Sequence, residues 1–308
     1  MRKRILLLFL AIPVLSVAQL PQGIAGRYPG DKGIEKDSNV LFVEDFETGM
    51  NEVLARYSDV LNKAGMSMDA DVPKGSAGKQ SMKMTNIGGV NTGGHLYRNF
   101  KPGFDSTVYI RYYVKYPKSD SNYIHHEAIW FGGYDPVLPY PSPKAAVCNV
   151  EGRISVSYEA SQGGQQMDTY IYWPFMNSGN GFRCYGNVFF DPKARRKVDW
   201  DEWMCIEVMV KLNNPVEASN GELAVWCNGK LMGHWGPGFP GGRWVRDKFI
   251  ANDTDPGFEG FRWRTKPSLN INYIWIEYFD DFTPAGMKNH IKYDHIVVAR
   301  KYIGPIKE

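Results

Sequence analysis

The chain reads as an all-β sandwich with one short helix near its start. Three observations predict this. Runs of alternating apolar and polar residues recur along most of the 308 residues, punctuated by Gly, Pro, Asn and Asp. Aromatic residues make up 14% and glycines number 32, a composition that suits strands joined by tight turns. An early run, Phe42-Val43-Glu44-Asp45-Phe46, and a late one, Tyr293 to Val298, have the composition to pair and close one domain.

The start is a targeting signal. Arg2, Lys3 and Arg4 precede an apolar run from Ile5 to Val14, and Ser16-Val17-Ala18 supplies small residues for cleavage. Residues 1–18 are therefore expected to be removed, leaving a mature chain from Gln19 that is secreted or periplasmic. The apolar run is too short for a membrane span, no later segment is long enough, and no Cys follows it to carry a lipid. Without the three basic residues of the signal, 33 basic residues face 33 acidic ones. That balance argues against bulk attraction to nucleic acid or membrane.

Residues 19–39 are rich in Gly, Pro and charge and read as an irregular lead. One domain follows over 40–308, expected to be monomeric. Val40–Phe46 is the first strand. In 51–64, Val53, Leu54, Tyr57, Val60 and Leu61 recur at helical spacing and predict a surface helix. Strands are then expected at 80–85, 95–100, 107–116, 123–131, 153–159, 166–173, 203–212, 222–228, 271–279 and 291–299. Long loops separate some of them at 132–150, 174–199 and 229–270. Four cysteines in an exported chain allow disulfides. Cys205 and Cys227 lie on two runs that suit a hairpin, where one register bridges them and another leaves two buried thiols.

Alternation assigns faces. In 271–279, Tyr273, Trp275 and Glu277 share a side. Arg111, Tyr113 and Lys115 oppose Ile110, Tyr112 and Val114. Arg153, Ser155, Ser157 and Glu159 oppose Ile154, Val156 and Tyr158. Asp168, Tyr170 and Tyr172 oppose Met167, Thr169 and Ile171, and Glu207 opposes Ile206 and Val208. A solvated sheet face is the commoner reason for such polar sides. The density of Tyr and Trp here favours a sugar-binding cleft, because aromatic rings stack on apolar sugar faces. Tyr113, Lys115, Glu207, Tyr273, Trp275 and Glu277 are the expected substrate contacts.

The stretch Trp203-Met-Cys-Ile-Glu-Val-Met-Val-Lys-Leu-Asn, followed by Asn220-Gly-Glu-Leu-Ala-Val-Trp-Cys-Asn-Gly-Lys230, resembles the paired strands of concanavalin A-like jelly rolls. Glu44 to Gly49, and Tyr293 to Val298 with Tyr302-Ile303-Gly304, are similar to that superfamily's first and last strands. Within it, the chain looks most like secreted polysaccharide lyases of the alginate and glucuronan lyase type. The resemblance implies a jelly roll whose concave face takes a polysaccharide. It carries no catalytic residue, since the chain has no Gln-Ile-His strand, no Tyr-Phe-Lys-Ala-Gly segment and no Glu-x-Asp-x-x-Glu run. Related jelly rolls hold a structural calcium near the terminal strands, and Asp45, Glu47 and Asp294 are the oxygen donors there. Ordinary surface acids are the other reading, and no cofactor is required.

A uronan lyase needs a cation on the uronate carboxylate, a base for the C5 proton and an acid for the leaving oxygen. Arg111, His125 or His126, and Tyr170, Tyr172 or Tyr273 are residues of those types. His125 and His126, as strand neighbours, are expected on opposite faces. A glycoside hydrolase would instead pair two carboxylates, with Glu207 and Glu277 as candidates. A binding protein would use the aromatics alone.

Overall fold

Two antiparallel sheets stack face to face in the computed structural model, which describes residues 22–118, 123–161 and 165–308. The expected signal and its cleavage point lie outside the described residues. The larger sheet runs β12 (Lys230–Trp235), β11 (Glu222–Cys227), β10 (Trp203–Lys211), β6 (Thr107–Lys115), β16 (Lys288–Ala299), β4 (Ser81–Ile87), β3 (Met66–Asp69), with β1 (Val40–Glu44) also on β16. The smaller runs β2 (Asp59–Leu61), β5 (Gly93–Phe104), β15 (Ile271–Phe279), β7 (His126–Tyr134), β8 (Arg153–Ala160), β9 (Met167–Tyr172). A separate hairpin joins β13 (Gly242–Val245) and β14 (Lys248–Ala251). The first and last strands pair, with Val43 opposite Val297 and Glu44 opposite Ile296. The architecture is the all-β jelly-roll sandwich that the alternating runs predict.

The core lies between the sheets. Ile110, Tyr112 and Val114 of β6 and Met204, Ile206 and Val208 of β10 meet Ile154, Val156 and Tyr158 of β8 and Ile274 and Ile276 of β15, all essentially inaccessible. Burying each large apolar side chain contributes roughly 1.5–3 kcal/mol. Buried tyrosines settle their hydroxyls on the opposing sheet's backbone: Tyr112 donates to the Tyr158 carbonyl at 3.0 Å and Tyr293 to that of Glu277 at 2.6 Å.

Two expectations are corrected. The helix over 51–64 shortens to α1 (Met50–Leu54). Past it, Val60 pairs with Leu96 at the sheet edge and Asn62 turns left-handed at φ 58°. Edge pairing wins because a short helix is marginal in isolation. The 229–270 loop holds three strands, short ones with weak alternation. Of the two arrangements open to Cys205 and Cys227, the buried free thiols are found, because Cys227 pairs opposite Ile206 and that one-residue offset sends the thiols to opposite faces. The disulfide joins Cys148 to Cys184.

The outer face of the larger sheet is closed by the chain's own ends. Arg111 pairs with Asp31 and donates to the His295 carbonyl at 2.9 Å. The backbone N–H groups of Ile303 and Gly304 donate to Glu207 at 2.7 and 2.8 Å, and that of Ile306 donates to the Tyr113 hydroxyl at 2.9 Å. Ile24, Ala25, Ile34 and Ile303 form a small second core on Val297 and Ala299. Arg111, Tyr113 and Glu207 are thereby buried.

Candidate functional site

The concave face of the smaller sheet carries an open cleft. Four adjacent strands build it in register. Trp275 of β15 stands opposite Trp130 of β7, Ser157 of β8 opposite Tyr170 of β9, and Ser155 opposite Tyr172. Tyr273, Gly132 and Ser155 form one cross-strand row. Gly132 has no side chain to block it, so the Tyr273 hydroxyl crosses to donate to Ser155 Oγ at 2.6 Å. A Cβ at Gly132 would sit 1.9 Å from the Ile154 carbonyl oxygen.

Two adjoining cavities fill the cleft, and His125, His126, Tyr170 and Tyr185 line both. One, of about 480 Å³, is walled by Trp130, Trp275, Tyr172 and Phe279 and roofed by Pro141 and Pro143. The other, of about 580 Å³, holds Glu159, Asp168, Arg195, Asp247 and Lys248. The roof segment and the Tyr185 loop are tied together by the Cys148–Cys184 disulfide.

The histidines sit at the junction. His126 Nδ1 lies 2.9 Å from Glu159 Oε1, and His125 Nδ1 lies 2.8 Å from Asp281 Oδ1. The imidazoles stack with centroids 4.4 Å apart. They share one side of the sheet, contrary to the strand-neighbour expectation, because β7 starts at His126 and His125 belongs to the preceding bend. Burial opposes charge on His126, but Glu159, helped by Glu277 and Asp281, lifts its pKa to about 9. It is an imidazolium at neutral pH.

Burial pushes the Glu277 carboxyl up to about 8, against the pull of His126. Asp168 is likewise lifted by burial, to about 6, although Arg195 lies 2.5 Å away. Both tyrosine hydroxyls are raised by burial. Their mutual hydrogen bond raises Tyr170 further and lowers Tyr172, and Arg153 lowers Tyr172 again. Tyr170 is thus the donor of the pair, and Tyr172 the more readily ionised.

Arg153 is the cation that alternation placed on this face, whereas the cation expected from sequence is Arg111. Its guanidinium carbon lies 3.8 Å from the centre of the Tyr172 ring. It is 1% exposed, and none of its three nitrogens has a hydrogen-bond acceptor among the described residues. An unsatisfied buried guanidinium is costly, and an anionic ligand relieves that cost. One signal for it was available in the sequence, its place in an alternating strand; its aromatic neighbour Tyr172 stands on the adjacent strand β9.

The structure thus brings together His125, His126, Tyr170, Tyr172, Tyr273, Trp275 and Glu277. Tyr273 lies beneath the surface, stacked on Tyr134 at 4.9 Å and fully buried. Arg111, Tyr113 and Glu207 stand on the other sheet's outer face, and Lys115 pairs there with Asp71 at 2.9 Å. The cleft expected from all of them divides, because alternation tells which side chains leave the core but not which sheet they leave. Glu207 and Glu277 cannot form a catalytic carboxylate pair for the same reason.

Asp45, Glu47 and Asp294 lie close enough to raise Asp294, already lifted by burial. Glu47 Oε1 accepts the Lys79 and Gln80 N–H groups at 2.6 and 2.7 Å, and Asp294 Oδ1 accepts that of His295 at 2.7 Å. Among the described residues, no group of three or more His, Cys, Asp or Glu side chains is placed to hold a metal ion. No helix of the described residues is long and apolar enough to cross a membrane.

No protein-family model matches the chain, and no curated protein sequence matches it significantly. Solved structures do. The alginate lyase vAL-1 from Chlorella virus superposes with a TM-score of 0.54 at 16% identity, over 85% of this chain and 99% of that one. The PL-14 alginate lyase from Aplysia kurodai gives 0.54 at 12% identity, over 85% and 99%. Alginate lyase Aly36B, as a variant bound to an alginate tetrasaccharide, gives 0.53 at 11% identity, over 87% and 96%. Similarity at this identity is similarity of fold, and it is with the jelly-roll fold of these polysaccharide lyases that the chain aligns over most of its length.

Proposed function

We propose that this cleft cleaves a uronate-containing polysaccharide by β-elimination. The observation that carries the reading is the convergence, in one cleft, of an imidazolium and a hydrogen-bonded tyrosine pair, with an acceptor-free guanidinium buried beneath one of the two rings. A fold supports many chemistries, so the likeness to alginate lyases adds support only because the cleft holds groups of the required types.

The roles follow from charge. The His126 imidazolium neutralises the uronate carboxylate, with Arg153 adding positive potential from beneath Tyr172, and this makes the C5 proton more acidic. Tyr172, whose phenolate is favoured by Arg153 and by the Tyr170 hydrogen bond, removes that proton. The electron pair forms the C4–C5 double bond and the C4–O bond breaks. Tyr170, the proton holder of the pair, protonates the departing oxygen. Glu277, protonated below about pH 8, donates a hydrogen bond instead of repelling the anion. Glu159 holds His126 charged, and Asp281 orients His125 against it.

A second reading is a hydrolase in which Glu277 is the acid and Glu159 the base or nucleophile. The raised pKa of Glu277 in a cleft shared with Glu159 favours it. One assay separates them. Elimination leaves a conjugated unsaturated uronate that absorbs in the ultraviolet, whereas hydrolysis produces reducing ends without that absorbance. The lyase reading expects the chromophore to appear at the rate of the reducing ends.

A further inference from the structure

We infer that the preferred substrate is a mixed glycan, in which the uronate cleaved is flanked by neutral sugar rather than by further uronates. This rests on the lyase reading for its chemistry and on the two unlike halves of the cleft for its content.

Every sugar of a homopolyuronate carries a carboxylate, so a cleft built for one needs a cation at each position along it. Here the cationic group that lines both halves is His126, at the junction. Arg153 lies buried beneath Tyr172 and lines neither half. The half beyond Tyr172 is walled by Trp130, Trp275 and Phe279, and no Lys or Arg lines it. Its other titratable members do not help an anion. Burial keeps His95 below the usual imidazole pKa, so it is neutral, and Glu277 turns negative if it ionises at all. A carboxylate placed on the Trp130–Trp275 stack would lose its hydration without gaining a partner. A neutral sugar offers the stack its C–H face, and its hydroxyl oxygens can accept from the Trp275 Nε1–H, which is buried and has no acceptor among the described residues.

The opposite half does not supply a second anion site. Arg195 is engaged by Asp168 at 2.5 Å. Glu159, Asp168 and Asp247 outnumber Arg195 and Lys248 in that lining, so it carries more negative than positive groups and suits sugar hydroxyls better than a second carboxylate.

The test measures binding and cleavage in parallel on two sets of probes. Alginate, polyglucuronate and polygalacturonate represent homopolyuronates. Hyaluronan, unsulfated chondroitin and xanthan represent uronates beside neutral sugars. The best mixed probe should exceed the best homopolyuronate by roughly tenfold or more in both affinity and kcat/KM, as one carboxylate left unpaired in a buried site would produce. Pro143→Lys, on the exposed roof of the aromatic half, adds a cation there and should narrow that ratio several-fold. Tighter binding and faster cleavage of a homopolyuronate, equal handling of both sets, or binding of neither overturns the inference. Preferential binding of a mixed probe without unsaturated product upholds the substrate class and rejects the lyase reading instead.

Discussion

His126 and Glu277 titrate above neutrality for opposite reasons, and their joint effect sets the expected pH response. The carboxylate of Glu159 stabilises the imidazolium, which persists until pH rises through about 9. Burial keeps Glu277 protonated until about pH 8. Both ionisations on the alkaline side remove help for a bound carboxylate, so kcat/KM should fall between about pH 8 and 9. Glu277→Gln should remove the earlier of the two steps and shift the fall upward. A profile unchanged by that substitution would remove Glu277 from the account. His126→Ala should lower turnover by about 10²–10⁴-fold, the usual cost of losing a positioned charged or proton-transferring group. His125→Ala should mainly loosen binding, since His125 supports His126 by stacking and is held by Asp281. Gly186 gives a subtler test. A Cβ there would lie 2.6 Å from the Tyr170 ring, and its φ of +36° already disfavours a side chain. Gly186→Ala should displace Tyr170 and lower kcat while the circular dichroism spectrum stays native.

At the scale of elements, the cleft is four adjacent strands with a roof pinned by one disulfide. The Cys148–Cys184 link spans 36 residues of sequence and closes the roof loop onto the Tyr185 loop. Cys148→Ser with Cys184→Ser should cost about 2–4 kcal/mol of stability, read as a lower Tm, and should raise KM more than it lowers kcat. Equal KM values would mean that the roof does not shape binding. Alternation in Ile271–Phe279 made the face of Tyr273, Trp275 and Glu277 legible from sequence, since one strand's side chains obey a period of two. The same rule misled at His125, where the strand begins one residue later. For Cys205 and Cys227 it left two registers open, and a one-residue offset decides between them in favour of free thiols. The pairing of Cys148 with Cys184 had no local signal, because both lie in irregular loops brought together by tertiary packing.

The whole molecule explains the larger division of the expected site. A sandwich has two outer faces, and only one is open. The other is sealed by residues 24–36 and 302–306, whose backbone donors serve Glu207 and Tyr113. Arg111 belongs to that seal through Asp31. Removing one partner of a buried ion pair costs about 3–5 kcal/mol, so Arg111→Ala should lower Tm strongly while the turnover per folded molecule stays that of the wild type. Lost turnover in a correctly folded Arg111→Ala protein would place the chemistry on the wrong face. The sequence's alternating runs revealed the fold and both outer faces. They carried no information on which face residues 24–36 and 302–306 would cover, because that depends on contacts between residues 80 to 193 positions apart.

The most direct measurement compares the wild type with Tyr172→Phe on the uronate polymers, following ultraviolet absorbance and reducing ends together. The wild type should generate unsaturated ends in step with reducing ends. Tyr172→Phe should bind the same polymers while losing at least about 100-fold in rate. Reducing ends without absorbance, or a Tyr172→Phe protein as active as the wild type, would contradict β-elimination at this cleft.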